Sequence, residues 1–218
     1  MIISVHVPKC AGTSFRHVLA ELYGDALWLN YGAIFSREQF RADVVPAQAT
    51  CIHGHFFADA FDSFVSAESS KLVTWVRHPV DRVVSHYYHF LRSPDMRDDC
   101  CCALYERGLK LIEFAELDWM RNEATRYLAG KSIEQFAFVG VAERFEESLS
   151  VFADDLGWPL SLEVPRVNTN PDRKTASYEL SADDYEQIIN LNTLDLMWYR
   201  RAVERLERQL MTRAPLVA

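Results

Sequence analysis

The sequence has no long apolar run. Its hydrophobic stretches are only a handful of residues each, which is too short to span a bilayer, so no membrane span is expected. Positive charge is also in short supply, with 23 Lys and Arg residues against 31 Asp and Glu and a formal net charge of −8. This balance disfavours a nucleic-acid partner or a strongly polyanionic acceptor, because both bind basic surfaces. No leader-like segment precedes the first apolar stretch, and a cytoplasmic location is the expectation.

Cysteine is scarce, and its spacing is not that of a cross-linked or zinc-binding protein. The five cysteines are Cys10, Cys51 and the triplet Cys100, Cys101 and Cys102. An odd number without C-x-x-C spacing predicts reduced thiols, with neither a disulfide framework nor a metal site. The triplet follows two aspartates and is expected at a junction between a loop and a helix.

Repeats, low-complexity tracts and long linkers are absent as well, and 218 residues suit a single domain, 1–218. Apolar runs predict strands at 1–7, 26–31, 49–52, 71–76 and 136–141. Patterns typical of helices run from the first turn to residue 23 and lie at 36–42, 80–91 and 143–156. One or two helices are predicted at 103–130, and two more follow Ser181. This alternation predicts an α/β fold with three αβα layers and a central parallel sheet.

The stretch after the first predicted strand has the composition of an anion-binding turn. Its candidate ligand-binding residues are Lys9, Ala11, Gly12, Thr13 and Ser14. The N–H groups at a helix start lack partners, and the helix dipole favours an anion there. Gly12 lets the backbone approach an oxyanion, Lys9 adds charge, and the hydroxyls can donate hydrogen bonds. The turn is therefore interpreted as a P-loop-like cradle for a phosphate or phosphosulfate.

This turn is not the usual nucleoside-triphosphate loop, G-x-x-x-x-G-K-[ST]. Lys9 precedes Gly12 by three residues, and no glycine stands upstream of it. An ordinary βα turn with a solvated lysine fits the same residues.

A second polar cluster follows the clearest strand. Arg77 stands where that strand ends, Pro79 suits the first position of a helix, and Ser85 lies about two turns into it. Arginine can bind a phosphate bidentately, and the Ser85 side chain leans back toward Arg77. Two other interpretations remain: a salt bridge from Arg77 to a carboxylate at the sheet edge, and a Ser85 hydroxyl bonded to its own helix.

His53 and His55 follow the predicted strand at 49–52 and, as alternate residues, share a face. Structural histidines fit this pattern, and a metal pair would lack a third ligand at a helpful spacing. Imidazole also titrates near neutral pH, which suits a general base for an acceptor hydroxyl. The clusters at Lys9, at the histidines and at Arg77 all follow strands, so they should meet at one edge of the sheet.

Two of these clusters together resemble the sulfotransferase superfamily, whose sulfuryl donor is 3′-phosphoadenosine 5′-phosphosulfate (PAPS). Residues 7–15 resemble its 5′-phosphosulfate loop, and residues 77–88 resemble its 3′-phosphate motif. Residues 52–55 and 139–149 are similar to the glycan 2-O-sulfotransferase branch. Arg173 and Lys174 resemble a loop that closes over the donor in relatives.

The resemblance implies sulfuryl transfer from PAPS to an acceptor hydroxyl, expected on a carbohydrate rather than on a small molecule or lipid headgroup. It implies His55 as the base, His53 as a supporting residue and Lys9 at the departing phosphate, with no metal. His6 and His78 are the alternative candidates for the base. The donor-binding residues are then expected to be Lys9, Ala11, Gly12, Thr13, Ser14, Arg77, Ser85, Arg173 and Lys174.

Two other functions fit the same fold. One is an ATP-dependent small-molecule kinase of the P-loop type, which the displaced lysine and the Arg77/Ser85 pair disfavour. The other is a non-catalytic nucleotide-binding protein. The chain is shorter and more acidic than the animal glycan enzymes, which disfavours a heparan-like acceptor. No feature of the sequence indicates an oligomeric state.

Overall fold

A computed structural model describes residues 1–32, 34–64, 70–128, 130–157 and 180–213. At its centre is a five-stranded parallel sheet with the order β2-β3-β1-β4-β5. The strands are β1 Ile2–Val5, β2 Leu27–Asn30, β3 Cys51–Gly54, β4 Lys71–Val76 and β5 Phe138–Val141. Helices flank this sheet, so the predicted αβα architecture is confirmed.

Eight α-helices accompany the described part of the sheet. They are α1 Gly12–Tyr23, α2 Pro79–Arg92, α3 Asp99–Arg107, α4 Leu111–Ala115, α5 Glu123–Tyr127, α6 Phe145–Leu156, α7 Ala182–Leu191 and α8 Thr193–Arg213. Three of them, α1, α2 and α6, come after β1, β4 and β5. In the parts of the chain that the structure describes, no helix is both long and apolar enough to cross a bilayer.

The strand order makes the carboxyl end of β1 a natural ligand site. The chain leaves β1 toward β2 on one side, whereas it later passes from β3 across β1 to β4 on the other. Open parallel sheets bind ligands at such a switch point. Val5, near the end of β1, is in register with Gly54 of β3 and Thr74 of β4. The loops that carry Lys9, His55 and Arg77 therefore leave the sheet at one level, which confirms their predicted convergence.

Aromatic packing holds α1 against the sheet below this edge. Phe15, in the first turn of α1, is fully buried, with its ring centroid 5.3 Å from that of Trp75 on β4 and 5.0 Å from that of Phe152 on α6. Trp75 in turn stacks on Phe145 at 4.5 Å. Close-packed rings of this kind resist displacement, so the turn before α1 starts from a rigid base.

A buried arginine anchors α2. The Arg82 guanidinium pairs with the Glu123 carboxylate, donates a hydrogen bond to the Met120 carbonyl at 2.9 Å and lies 3.5 Å from the Asp195 carboxylate. Asp195 also accepts the Thr125 N–H at 2.8 Å, which ties α8 to α5. Removing one partner of such a buried pair typically costs about 3–5 kcal/mol. The network therefore holds in place the helix on which Ser85 lies.

Several predicted boundaries are wrong. β3 extends to Gly54, so His53 lies within the strand and not in the loop after it. The helix predicted at 36–42 is instead two 3₁₀ turns, Arg37–Gln39 and Ala42–Val44, the first closed by the predicted capping box.

The predicted helical region 103–130 is broken into short pieces, because Gly108 (φ 60°) and Asn122 (φ 51°) adopt left-handed conformations that a helix does not continue through. The Cys100–Cys102 triplet begins α3 under an Asp98 cap, and all five cysteines are free, as predicted.

Candidate active site

The turn between β1 and α1 has an unusual backbone. Lys9 (φ 65°) and Ala11 (φ 63°) are both left-handed, although neither is glycine. Such conformations cluster at ligand-binding turns, where the surrounding structure enforces them. No described side chain caps the start of α1, an arrangement that suits an anion at the helix N-terminus. The turn therefore has the backbone form expected of an anion cradle.

Gly12 is required by a contact that the sequence did not indicate. A Cβ atom at this position would lie 1.9 Å from Cδ2 of His6, whose ring rests against the glycine. No side chain fits in that space. The first residue of α1 is thus packed directly against a histidine from the end of β1.

Lys9 carries positive charge that no described residue neutralises. It forms no ion pair with the described part of the chain, and its pKa is lowered to about 8, first by burial and then by repulsion from Arg77 and Arg92. Its backbone carbonyl accepts a hydrogen bond from Nη1 of Arg77 at 3.2 Å. Positive charges held close together in this way fit a polyanionic ligand.

The surroundings of Arg77 fit both interpretations that the sequence allowed, a phosphate-binding residue and a partner for a carboxylate at the sheet edge. Its side chain is 14% exposed, and Nε lies 3.9 Å from the Glu143 carboxylate, so a carboxylate does stand at the sheet edge. That contact is too long for a hydrogen bond. Apart from the bond to Lys9, the guanidinium N–H groups have no hydrogen-bond acceptor among the described residues. They remain available to a phosphate.

Glu143 was missed by the sequence analysis. It accepts the His78 N–H at 2.9 Å, at the start of α2, and burial raises its pKa while Arg77 opposes that rise. The available signal was its place two residues after β5, at the same sheet edge as the three polar clusters.

The face of α2 that bears Ser85 also carries a cation, Arg92, which lies near enough to Lys9 to lower its pKa. Ser85 is half-buried and makes no hydrogen bond with the described residues, so it does not bond back to its own helix there. His89 and Arg92 follow at four and seven residues, which places them on the same face. The pKa of His89 is lowered to about 4, by burial and then by Lys9. The helical spacing of Ser85, His89 and Arg92 is visible in the sequence, and it could have added His89 and Arg92 to the candidate residues.

Three histidines from two neighbouring strands stack together on the other side of β1. The His6 ring lies 5.0 Å from that of His53 and 4.3 Å from that of His55. His53 is 1% exposed, its Nδ1 is 2.8 Å from the Ser4 hydroxyl, and burial lowers its pKa to about 3. His53 therefore lies beneath the other two rings. Because the rings are stacked, their nitrogen atoms do not point at one position, as the ligands of a metal ion would. The described residues contain no group of three or more side chains that could hold a metal ion.

His55 has the geometry of a neutral base. Its Nδ1 lies 2.7 Å from the backbone carbonyl of His6, a contact that requires a proton on Nδ1 and leaves the lone pair on Nε2. The ring is half-buried, and burial lowers its pKa below the ordinary value despite the opposing effects of that carbonyl and of Glu123. Imidazole in this state can accept a proton at neutral pH.

The remaining predicted residues have different environments. His78 stacks on Tyr185 with centroids 5.9 Å apart, and it contacts Tyr199 as well. Thr13 and Ser14 are half-buried in the first turn of α1. Arg173 and Lys174 lie outside the described residues.

A parallel αβα sheet with a basic strand-turn-helix at its central strand defines a class of phosphate-binding proteins. Within that class, residues 1–202 match the model of the sulfotransferase family, and the chain belongs to that family.

The solved structures that are similar to the chain include two sulfotransferases. The sulfotransferase from Alicyclobacillus acidocaldarius is 17% identical, with a TM-score of 0.49 and coverage of 93% of this chain and 95% of that one. Mouse sulfotransferase SULT7A1 complexed with PAP is 14% identical, with a TM-score of 0.41 and coverage of 98% and 85%. Among curated proteins, the search finds no match.

Proposed function

We propose that this sulfotransferase uses PAPS as its donor and sulfates a hydroxyl group of a carbohydrate. The observation that carries the donor assignment is the 3.2 Å hydrogen bond from Arg77 to the Lys9 carbonyl. It joins the turn after β1 to the turn after β4. A donor with phosphates at both ends of its ribose needs two anion sites side by side, and ATP does not.

On the donor side, the first N–H groups of α1, Lys9 and the Thr13 and Ser14 hydroxyls would hold the 5′-phosphosulfate. Arg77 and Ser85 would hold the 3′-phosphate. Lys9 stands without a described carboxylate partner, so an incoming anion meets uncompensated positive charge. Arg173 and Lys174 stay a prediction for the loop over the donor.

For the chemistry, His55 takes the proton of the acceptor hydroxyl on Nε2 as the hydroxyl oxygen forms its bond to sulfur. The bond between sulfur and the bridging phosphate oxygen breaks, and the electron pair goes to that oxygen. Lys9 and the backbone N–H groups of residues 12–14 stabilise the charge that develops there. His6 holds His55 in the required tautomer through its carbonyl. None of these steps uses a metal.

A carbohydrate acceptor is supported by the resemblance of residues 52–55 and 139–149 to the glycan 2-O-sulfotransferases. The net charge of −8 favours a glycan with few anionic groups over a heparan-like chain. Membership of the 2-O branch is part of the proposal.

Thermal-shift titration with 3′,5′-adenosine bisphosphate (PAP), the donor product, and with ADP tests the donor assignment. A ligand that binds only the folded state raises the melting temperature, and the stabilisation grows with the logarithm of its concentration relative to Kd. PAP should stabilise the protein at concentrations where ADP does not, and Arg77→Ala should abolish this difference. Stabilisation by ADP and not by PAP would reject the proposal in favour of a kinase. PAP binding without transfer to any hydroxyl compound would favour a non-catalytic nucleotide-binding protein.

A further inference from the structure

The sheet order separates the candidate site into two halves. β1 and β4 lead to Lys9 and Arg77, which form the donor half. β3 leads to His55, and β2, the edge strand beside it, ends at Asn30. The residue that follows β2 is Tyr31, and it therefore stands on the side of His55 that faces away from the donor. An acceptor hydroxyl must reach His55 from this side, because the donor occupies the other.

The hydroxyl group of Tyr31 already has partners. It lies 3.0 Å from Nδ1 of His6, and burial keeps the pKa of His6 well below its ordinary value. The His6 ring is therefore neutral at neutral pH, and its Nδ1 and the phenol share a hydrogen bond. Arg16 of α1 also lies near enough to the phenol to lower its pKa, against the rise that burial causes. The hydroxyl is thus committed to the protein.

The ring of Tyr31 remains in contact with solvent. The residue is 42% exposed, and its ring centroid lies 5.0 Å from that of His55 at an interplanar angle of 75°. It stands nearly perpendicular to His6 too, at 81°. Tyr31 and the stacked imidazoles therefore form a corner of fixed geometry, with the base on one wall and an aromatic surface on the other.

We propose that Tyr31 contacts the acceptor directly, packing its ring against the sugar ring that bears the reacting hydroxyl. This inference rests on the proposed function. Binding sites commonly combine an apolar or aromatic wall with a few fixed polar groups. Tyrosine supplies rigid contact area because only two side-chain torsions must be ordered. The C–H face of a pyranose offers a matching apolar surface, and packing it there sets the hydroxyl at Nε2 of His55.

The test measures transfer of labelled sulfate from PAPS to methyl β-D-glucopyranoside, cellobiose, sorbitol and 4-nitrophenol. Tyr31→Ala should lower kcat/KM for the pyranosides by about 10- to 100-fold, while Tyr31→Phe and Tyr31→Trp stay within about 3-fold, because both keep the ring. The affinity for PAP, measured by calorimetry, should be unchanged in all three variants.

Tyr105 provides a matched control. It is 43% exposed, and its hydroxyl is also bonded to the protein, donating to the Phe90 carbonyl at 3.0 Å. Tyr105→Ala should leave transfer to all four acceptors unchanged.

The outcomes separate this inference from the proposed function. Equal losses in Tyr31→Phe and Tyr31→Ala would assign the effect to the hydroxyl and overturn the inference. An equal loss in Tyr31→Ala for sorbitol, which has no ring, would also overturn the inference. Transfer by the wild type to 4-nitrophenol but to no pyranoside would overturn it as well. In each case normal PAP affinity would leave the donor assignment intact. Failure of the wild type to bind PAP would remove the proposed function itself.

Discussion

The donor half and the acceptor half of the site lie at one edge of the sheet but differ in their charge. On the donor side, burial and two neighbouring arginines lower the pKa of Lys9 to about 8, so a charged group is held under repulsion. On the acceptor side, burial lowers the pKa of His53 to about 3 and keeps His6 and His55 neutral as well. Burial thus lowers pKa values in both halves. Beside Lys9 it favours the binding of an anion, and at His55 it leaves an uncharged imidazole as the proposed base.

The strongest test of this division is His55→Ala. The variant should lose about 10²- to 10⁴-fold in kcat, the usual contribution of a general base, with normal affinity for PAP. In the wild type, the acid limb of the pH–rate profile should lie below the ordinary histidine pKa of about 6.5, because the pKa of His55 is lowered. The variant should lack that limb.

His78 serves as the control for this experiment. It lies beyond Arg77 against Tyr185, so His78→Ala should leave the acid limb in place. Near-normal turnover in His55→Ala, together with a large loss in His6→Ala or His78→Ala, would move the base to another histidine.

On the donor side, Lys9→Ala should lower kcat by about 10²- to 10³-fold and change donor affinity less, because its charge matters most as the leaving phosphate forms. Donor kcat/KM in the wild type should fall as the pH rises through about 8, where Lys9 loses its proton. Lys9→Arg should shift this fall to higher pH. A loss confined to the donor KM would make Lys9 a binding residue only.

Arg77→Ala should weaken PAP binding by about 2–4 kcal/mol, because a charge-assisted contact to a partly desolvated phosphate is lost. Adenosine 5′-phosphosulfate, which has no 3′-phosphate, should bind almost as it does to the wild type. Calorimetry with the two ligands measures the difference. Equal losses for both would place Arg77 outside the 3′-phosphate site.

The smallest expected effect is that of Glu143→Gln. The Glu143 carboxylate lies 3.9 Å from Nε of Arg77 and competes with a phosphate for it. The amide keeps the bond from the His78 N–H but removes the charge, so PAP affinity should rise by about 1 kcal/mol, and less in high salt. Weaker binding would show that the carboxylate chiefly orients the guanidinium.

The sequence was sufficient to predict which loops meet, but not what their side chains touch. Lys9, His55 and Arg77 each follow an apolar strand, and parallel strands bring their carboxyl ends together whatever the side chains. Tyr31, His6 and Glu143 follow strands just as closely. Their contacts depend on ring orientation and on backbone acceptors distant in sequence, for which periodicity gives no signal.

His6 contacts both halves of the candidate site. Its ring occupies the space above Gly12, and its carbonyl is bonded to His55, so one residue touches both the proposed anion turn and the proposed base. We expect a shift of the turn on donor binding to displace that ring, and a shift of His55 to move the same residue. Binding at the two halves should then be thermodynamically coupled. The coupling is reciprocal, so the acceptor changes the affinity for the donor by the same factor by which the donor changes the affinity for the acceptor.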